Sequence, residues 1–133
     1  MAVGTDKGGL VFFNRKSQRK IPCISKHGKK VIDGDWSNEG LLITCSFDKM
    51  LTVSNHQGDT PFDTFFLKGE LSNVRWSPVQ LEKEKTMCCI VGGAKLFKYD
   101  PSTQAHCFIE FDKTYGKIIH FEWYDQDRLF CTF

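Results

Sequence analysis

The stretch SFDKMLTVSN, residues 46–55, sets the hydroxyl of Ser46 two positions before the carboxylate of Asp48, with His27 upstream. Serine, histidine and aspartate are the parts of a nucleophilic hydrolase, in which imidazole takes the hydroxyl proton and the carboxylate orients the ring. Such a centre also needs aligned donors for a developing oxyanion, and no nucleophile elbow accompanies these residues. His106 and Cys107 form the one adjacent His/Cys pair, but with no CxxC pair the ligand set of a zinc site is missing. GTDKGG (4–9) and VGGAK (91–95) have the composition of phosphate-binding loops, yet neither has the GxxxxGK[ST] spacing or a following helix whose N-terminus could hold an anion. Both read as hairpin turns in which glycine supplies positive φ. No catalytic residue, cofactor or metal is expected, and the polar trio must be judged by the elements that position it.

With 133 residues, 15.3 kDa and 41% hydrophobic residues, the chain has the size of one domain and enough apolar mass for a core. A formal net charge of +2 gives no large single-sign field, so nucleic acid is not an expected partner. No apolar run approaches the roughly 18 residues of a membrane helix, and MAVGTDKGG lacks the apolar centre of a secretory signal. The six cysteines sit in apolar runs such as LLITCSF and TMCCIV, which reads as reduced core residues in a cytoplasmic protein.

Short β-rich runs separated by Gly, Asp, Asn, Ser and Pro recur along the chain: Leu10–Phe13, Val31–Trp36, Leu41–Phe47, Met50–Val53, Thr64–Leu67, Asn73–Trp76, Met87–Val91, Lys95–Tyr99, Cys107–Phe111, Ile118–Trp123 and Leu129–Phe133. Three of them end in tryptophan. VIDGDW, LSNVRW and IIHFEW place Gly34, Val74 or Phe121 two residues before the ring and Asp35, Arg75 or Glu122 one residue before it, the alternation of a strand with a small or apolar face and a charged one. Trp36, Trp76 and Trp123 stand 40 and 47 residues apart, the longer interval containing the charged QLEKEKT (80–86), which reads as a lengthened loop. After each tryptophan come an apolar strand, a tight turn and a second strand, as in LLITCSF-DK-MLTVSN and TMCCIV-GGA-KLFKYD; a third strand follows, FDTFFL or HCFIEF.

Four antiparallel strands in about 40 residues is the period of a WD-type propeller blade. The expected fold is all-β: a partial blade (1–30), two full blades (31–70 and 71–116) and the start of another (117–133). Since four to eight blades normally close such a ring, the chain reads as an open arc, a fragment of a longer polypeptide. Its two unpaired edges favour self-association. SFDKMLTVSN fits the recurring Ser-x-Asp pattern of a blade, with Ser54 and Asn55 replacing Trp-Asp, while Tyr99-Asp100 is the nearest approach to that dipeptide. His27, Ser46 and Asp48 are therefore expected as a structural hydrogen-bond network, and Trp36, Trp76, Trp123, Tyr99 and Asp100 as further structural positions of the repeat. Surface contacts for a protein partner are expected at Arg15, Lys16, Arg19 and Lys20, in a rim loop, and at Phe65 and Phe66 on an outer edge.

AVGTDKGGLVFFN (2–14), SQRKIPCISKH (17–27), DKMLTVSNHQGDT (48–60) and YGKIIHFEWYDQDRLF (115–130) resemble the N-terminal propeller of the intraflagellar transport protein 144 family, the WD repeat domain 19 subunits of intraflagellar transport complex A. DKMLTVSN followed by GDT is the most specific part, because it departs from generic repeats in the same way. The resemblance implies a non-enzymatic interaction platform, without cofactor, that assembles with complex A subunits in the cytoplasm and cilium and serves retrograde ciliary transport and ciliary protein trafficking. A WD-repeat adaptor of a vesicle coat or other cytoplasmic complex is the alternative, since coat subunits share this plan.

Overall fold

The computed structural model describes residues 1–23, 27–55, 61–78, 86–125 and 128–133, with the side chains of 21–23, 61 and 62 outside the description. The QLEKEKT insertion lies outside the described residues except for Thr86, as do the GDT triplet and Lys26. The described residues are all-β apart from one 3-10 turn, Lys113–Tyr115. Strands β1 (Ala2–Gly4), β2 (Leu10–Asn14) and β3 (Arg19–Cys23) form one sheet. A second runs β4 (Val31–Trp36), β5 (Leu42–Ser46), β6 (Met50–Ser54) and β7 (Pro61–Phe66) in order, and a third runs β8 (Leu71–Trp76), β9 (Met87–Val91), β10 (Lys95–Asp100) and β11 (Ala105–Glu110). The last pair is β12 (His120–Trp123) and β13 (Leu129–Thr132). Every pairing is antiparallel. The sheets stack face to face as WD-type propeller blades.

Stacking buries the middle strands on both sides, so β9 reads as an unbroken apolar run, MCCIV, buried throughout. Period two then divides it: Met87, Cys89 and Val91 pack with Ile43, Cys45 and Val53 of the second sheet, while Cys88 and Ile90 pack with Ile118 and Phe121 of the last pair. Leu10 and Phe12 close the first interface against Leu42, with the Phe12 and Trp36 rings 5.6 Å apart in an edge contact. Not all the cysteines are core residues, as their apolar runs suggest: Cys107 is exposed and Cys131 is half-buried, because each sits on a strand with one neighbour fewer. Two sequence boundaries also move. Arg19 and Lys20 open β3 rather than sitting in the rim loop, which shortens to a turn in which the Asn14 carboxamide oxygen accepts from the amides of Lys16 (2.9 Å) and Ser17 (3.2 Å). Ile118 and Ile119 precede β12, although the Ile119 amide already donates to the Thr132 carbonyl at 2.9 Å.

The tryptophan strands β4, β8 and β12 lie at the inner edge of their sheets, side by side. An edge strand carries a row of unpaired backbone groups, and here side chains of the neighbouring strand satisfy them. One carboxylate oxygen of Asp33 accepts the Gly34 amide on its own strand (2.9 Å), while the other accepts the Val74 amide of the next (3.1 Å) and the Arg75 guanidinium (2.8 Å). Asp35 repeats the bridge with the amides of Trp36 (3.0 Å) and Trp76 (2.9 Å). The indole of Trp76 donates back to the Asp35 carbonyl at 3.2 Å, and one blade further on the indole of Trp123 donates to the Arg75 carbonyl at 3.3 Å. Asn73, three residues before its tryptophan as Asp33 is, donates to the Phe121 carbonyl at 2.8 Å. A register shift interrupts the pairing of β4 at Val31/Asp33 and of β8 at Ser72/Arg75, and at the second Asn73 adopts φ 49°. Asp35 and Arg75, the charged positions beside the first two tryptophans, therefore face the adjacent blade, whereas Glu122 is exposed and meets His120 of its own strand at 3.3 Å.

Asp35→Ala strands two edge amides and is expected to lower the unfolding free energy by about 1–3 kcal/mol. Trp76→Phe, which keeps most of the ring and loses the donor, is expected to cost about 1 kcal/mol. Urea unfolding midpoints at constant slope measure both; unchanged midpoints would show that the edge is satisfied by water instead.

Candidate functional site

His27 lies on the connection entering the second sheet, and Asp48 lies in the β5–β6 turn. The residue after the turn carboxylate, Lys49, takes φ 67°, and Asp48 accepts the Met50 amide at 2.9 Å, a side-chain cap that closes the hairpin. Its other oxygen accepts the Gly28 amide (2.8 Å) and meets Nδ1 of His27 at 3.2 Å. On the far side of the ring, Nε2 stands 2.9 Å from the Thr44 hydroxyl and 3.3 Å from that of Thr52, and the two hydroxyls are 2.8 Å apart. The network assigns the tautomer: Nδ1–H donates to the carboxylate, and Nε2 accepts from Thr44, which accepts in turn from Thr52.

Ser46 is not the hydroxyl that meets the histidine. It is fully buried, donates to the Lys29 carbonyl at 2.9 Å and accepts the Asp48 amide at 3.2 Å, so it ties the turn to the incoming connection. Thr44 and Thr52 take the place under the ring because they are directly paired across β5 and β6. That register could have been read from the sequence, since Thr44 shares strand parity with Ser46 and lies one pair deeper. Ser54, at the position of the missing tryptophan, is fully buried with a hydroxyl that has no hydrogen-bond partner and takes no part in the network.

Burial lowers the pKa of His27, opposed by the charge and hydrogen bond of Asp48, and the ring stays neutral. Burial alone would raise Asp48, but the Met50 and Gly28 amides and the histidine outweigh it and hold the carboxyl below its usual value. The His27 side chain has no exposed area. Both ring nitrogens are engaged, and the geometry is that of a structural clasp between blade connection and hairpin. GTDKGG belongs to the same corner: Gly8, at φ +85°, lies where a Cβ would stand 2.1 Å from the His27 carbonyl oxygen, which explains the glycine without any phosphate.

Of the remaining sequence candidates, Tyr99 is buried and its hydroxyl donates to Asp63 on the outer strand of the preceding sheet; burial, then that carboxylate, raise its pKa. Asp100 caps its own turn by accepting from the amide (2.8 Å) and hydroxyl (2.6 Å) of Ser102. His106 faces the rings of Phe65 and Phe97 while Cys107 points to the other side of β11, and among the described residues no three His, Cys, Asp or Glu side chains gather as metal ligands. Phe65 is half-buried, its ring 4.7 Å from Tyr99 and 5.1 Å from Phe97, so it closes a blade interface; Phe66 points the other way and is 67% exposed. Arg15, Lys16, Arg19 and Lys20 are all exposed at the opposite end of the sheets.

Stacked four-stranded sheets with a histidine clasp between connection and hairpin define a WD-type β-propeller. The family model described as WDR19 first beta-propeller matches residues 1–133, and the chain belongs to that family. It is 36% identical to WD repeat-containing protein 19 of Mus musculus and 34% identical to that of Homo sapiens, each over 100% of this chain and 10% of the relative. WD repeat-containing protein dyf-2 of Caenorhabditis elegans is 25% identical over the same shares. The chain thus spans a tenth of the length of these relatives. Among solved structures, the Cps50 (Swd1) β-propeller domain of Myceliophteria thermophila superposes with a TM-score of 0.76 at 12% identity, covering 98% of this chain and 44% of that one. A chain of the mitotic checkpoint complex gives 0.69 at 18%, covering 98% and 41%.

Removing the clasp has a signed pH signature. His27 binds its proton more weakly folded than unfolded, so its contribution is full above the ordinary 6.5 and is lost as pH falls below it. Asp48 repeats the loss below 3.8. Unfolding midpoints titrated downward should therefore decline in two stages, and His27→Gln should erase the first. Asp48→Ala is expected to cost about 1–3 kcal/mol at neutral pH.

Proposed function

We propose that this chain is part of a non-enzymatic protein-interaction scaffold, within a subunit of intraflagellar transport complex A that acts in retrograde ciliary transport and ciliary protein trafficking. The observation that carries the reading is membership of the WDR19 first beta-propeller family over the whole chain. The site supports it: the residues with the types of a hydrolase triad are consumed in a buried clasp, with Ser46 bonded to a backbone carbonyl and His27 saturated by other groups. On this reading the partners are other complex A subunits, nucleic acid is not among them, and the protein works in the cytoplasm, along the axoneme and at the ciliary base. The exposed run Arg15, Lys16, Arg19 and Lys20, and separately Phe66, supply contact area, while Phe65 is taken up in the blade interface with Phe97 and Tyr99. The edges left open by this arc are the route by which the isolated chain would self-associate.

Antibody recovery of the endogenous protein from ciliated cells, followed by mass spectrometry, is expected to return a much longer polypeptide together with intraflagellar transport subunits. Recovery with vesicle-coat subunits instead would favour the adaptor alternative, and turnover of an ester abolished by Ser46→Ala would overturn the non-enzymatic reading.

A further inference from the structure

The turn between β2 and β3 and the turn between β10 and β11 are one construction used twice. In each, a side-chain oxygen at the end of the first strand, from Asn14 or Asp100, accepts the amide two residues on, at 2.9 and 2.8 Å, and the residue four on, Gln18 or Gln104, takes a positive φ of 53° or 56°. Between them each turn places one hydroxyl, Ser17 in the first and Thr103 in the second. The Thr103 hydroxyl is occupied, accepting the Ala105 amide at 3.3 Å. Ser17 binds the Asn14 oxygen through its amide (3.2 Å), and its exposed hydroxyl has no hydrogen-bond partner among the described residues. The flanks differ as well. Arg15 and Lys16 precede Ser17 and Arg19 and Lys20 follow it, all exposed and without an ion pair among the described residues, whereas Pro101, Ser102, Gln104 and Ala105 surround Thr103. The same turn forms without the four cations, so the fold does not account for them.

We propose that Ser17 is a phosphorylation site for a basophilic protein kinase, one whose acidic substrate groove reads Arg15 and Lys16 before the hydroxyl and Arg19 and Lys20 after it. In the step, Ser17 Oγ attacks the γ-phosphorus of ATP, its proton passes to a carboxylate of the kinase, the bond to the β-phosphate oxygen breaks and ADP leaves. The tip can be drawn out for this. Residues 14–20 are all exposed, so opening the turn breaks the two bonds to the Asn14 oxygen and uncovers no buried side chain. A phosphate of about −2 charge then stands among the guanidinium and ammonium groups, which pair with it. That changes a contact area of one sign into a mixed one, a consequence that rests on the scaffold reading, whereas the modification itself does not.

The full-length protein containing this chain is incubated with ATP and either the catalytic domain of protein kinase C, which selects basic flanks, or casein kinase 2, which selects acidic ones. Mass spectrometry of the peptide that contains Ser17 is expected to find phosphate there with the first kinase and none with the second, and Thr103 is expected to stay unmodified. The pair Arg15→Gln and Arg19→Gln should slow incorporation at Ser17 about tenfold. Ser17→Ala should abolish it at an unchanged melting temperature, because the hydroxyl carries no bond of the turn. Ser17 left bare while the kinase modifies a basic reference peptide overturns the proposal, as does a rate indifferent to Arg15 and Arg19 or equal incorporation by the acid-directed kinase. If Ser17 is phosphorylated while Ser17→Ala and Ser17→Glu recover the same partners from ciliated cells, the site stands and its link to the contact area falls. Whether those partners are intraflagellar transport subunits tests the scaffold reading separately.

Discussion

The structure depends on how an inner edge strand is kept from being an edge. Each blade is a separate sheet, so its tryptophan strand reaches the centre as an edge, and among the described residues no strand ladder runs from one blade to the next. Asp33 and Asp35 replace that ladder by giving one oxygen to their own strand and one to the neighbour. The indoles answer in the other direction, donor to carbonyl, at a fixed offset of one residue before the preceding tryptophan. The half-buried carboxylates bridge two amides each, a favourable arrangement because charge-assisted bonds are shorter and stronger than neutral ones. The register shifts in β4 and β8 are part of the same device, since an added residue at that point re-aims the side chain toward the neighbour.

Further from the centre, apolar packing and polar tethering take turns. Rings of Phe65, Phe97 and Tyr99 fill the space between the second and third sheets, and the Tyr99 hydroxyl reaches Asp63 at their periphery. At the corner of the second sheet, where a connection must be fixed to a hairpin turn, the polar clasp takes over. A buried polar chain stabilises only when every member is satisfied. Here two threonines supply what a tryptophan indole would have, at the cost of an orphan hydroxyl on Ser54. The blade keeps its histidine and aspartate because they hold backbone, through Gly28 and Met50, and that work does not require the indole.

Much of this was legible in the sequence, and the limits are instructive. Tryptophan spacing and strand alternation gave the all-β propeller, because a repeated radial sheet imposes both. Asp48 and His27 were found because turn chemistry is local. Ser46 was placed beside the histidine because sequence distance suggests it, whereas the partner is chosen by cross-strand register, which puts Thr44 opposite Thr52. For Asp35, alternation says only that it takes the charged side of its strand, and says nothing about whether another blade lies there. Phe65 and Phe66 are adjacent and both aromatic, so their separation into a core ring and a surface ring follows from the parity of β7 alone.

The adjacent cysteines of β9 carry the same lesson into how the molecule tolerates change. Cys88 and Cys89 are peptide neighbours, but one belongs to the packing shared with Ile118 and Phe121 and the other to that shared with Ile43 and Cys45. Energetic neighbourhood here is transverse to the chain. Substitutions at 88 and 89 open cavities in different interiors, whereas those at Cys89 and the sequence-distant Cys45 fall in one packed cluster, where their costs are coupled.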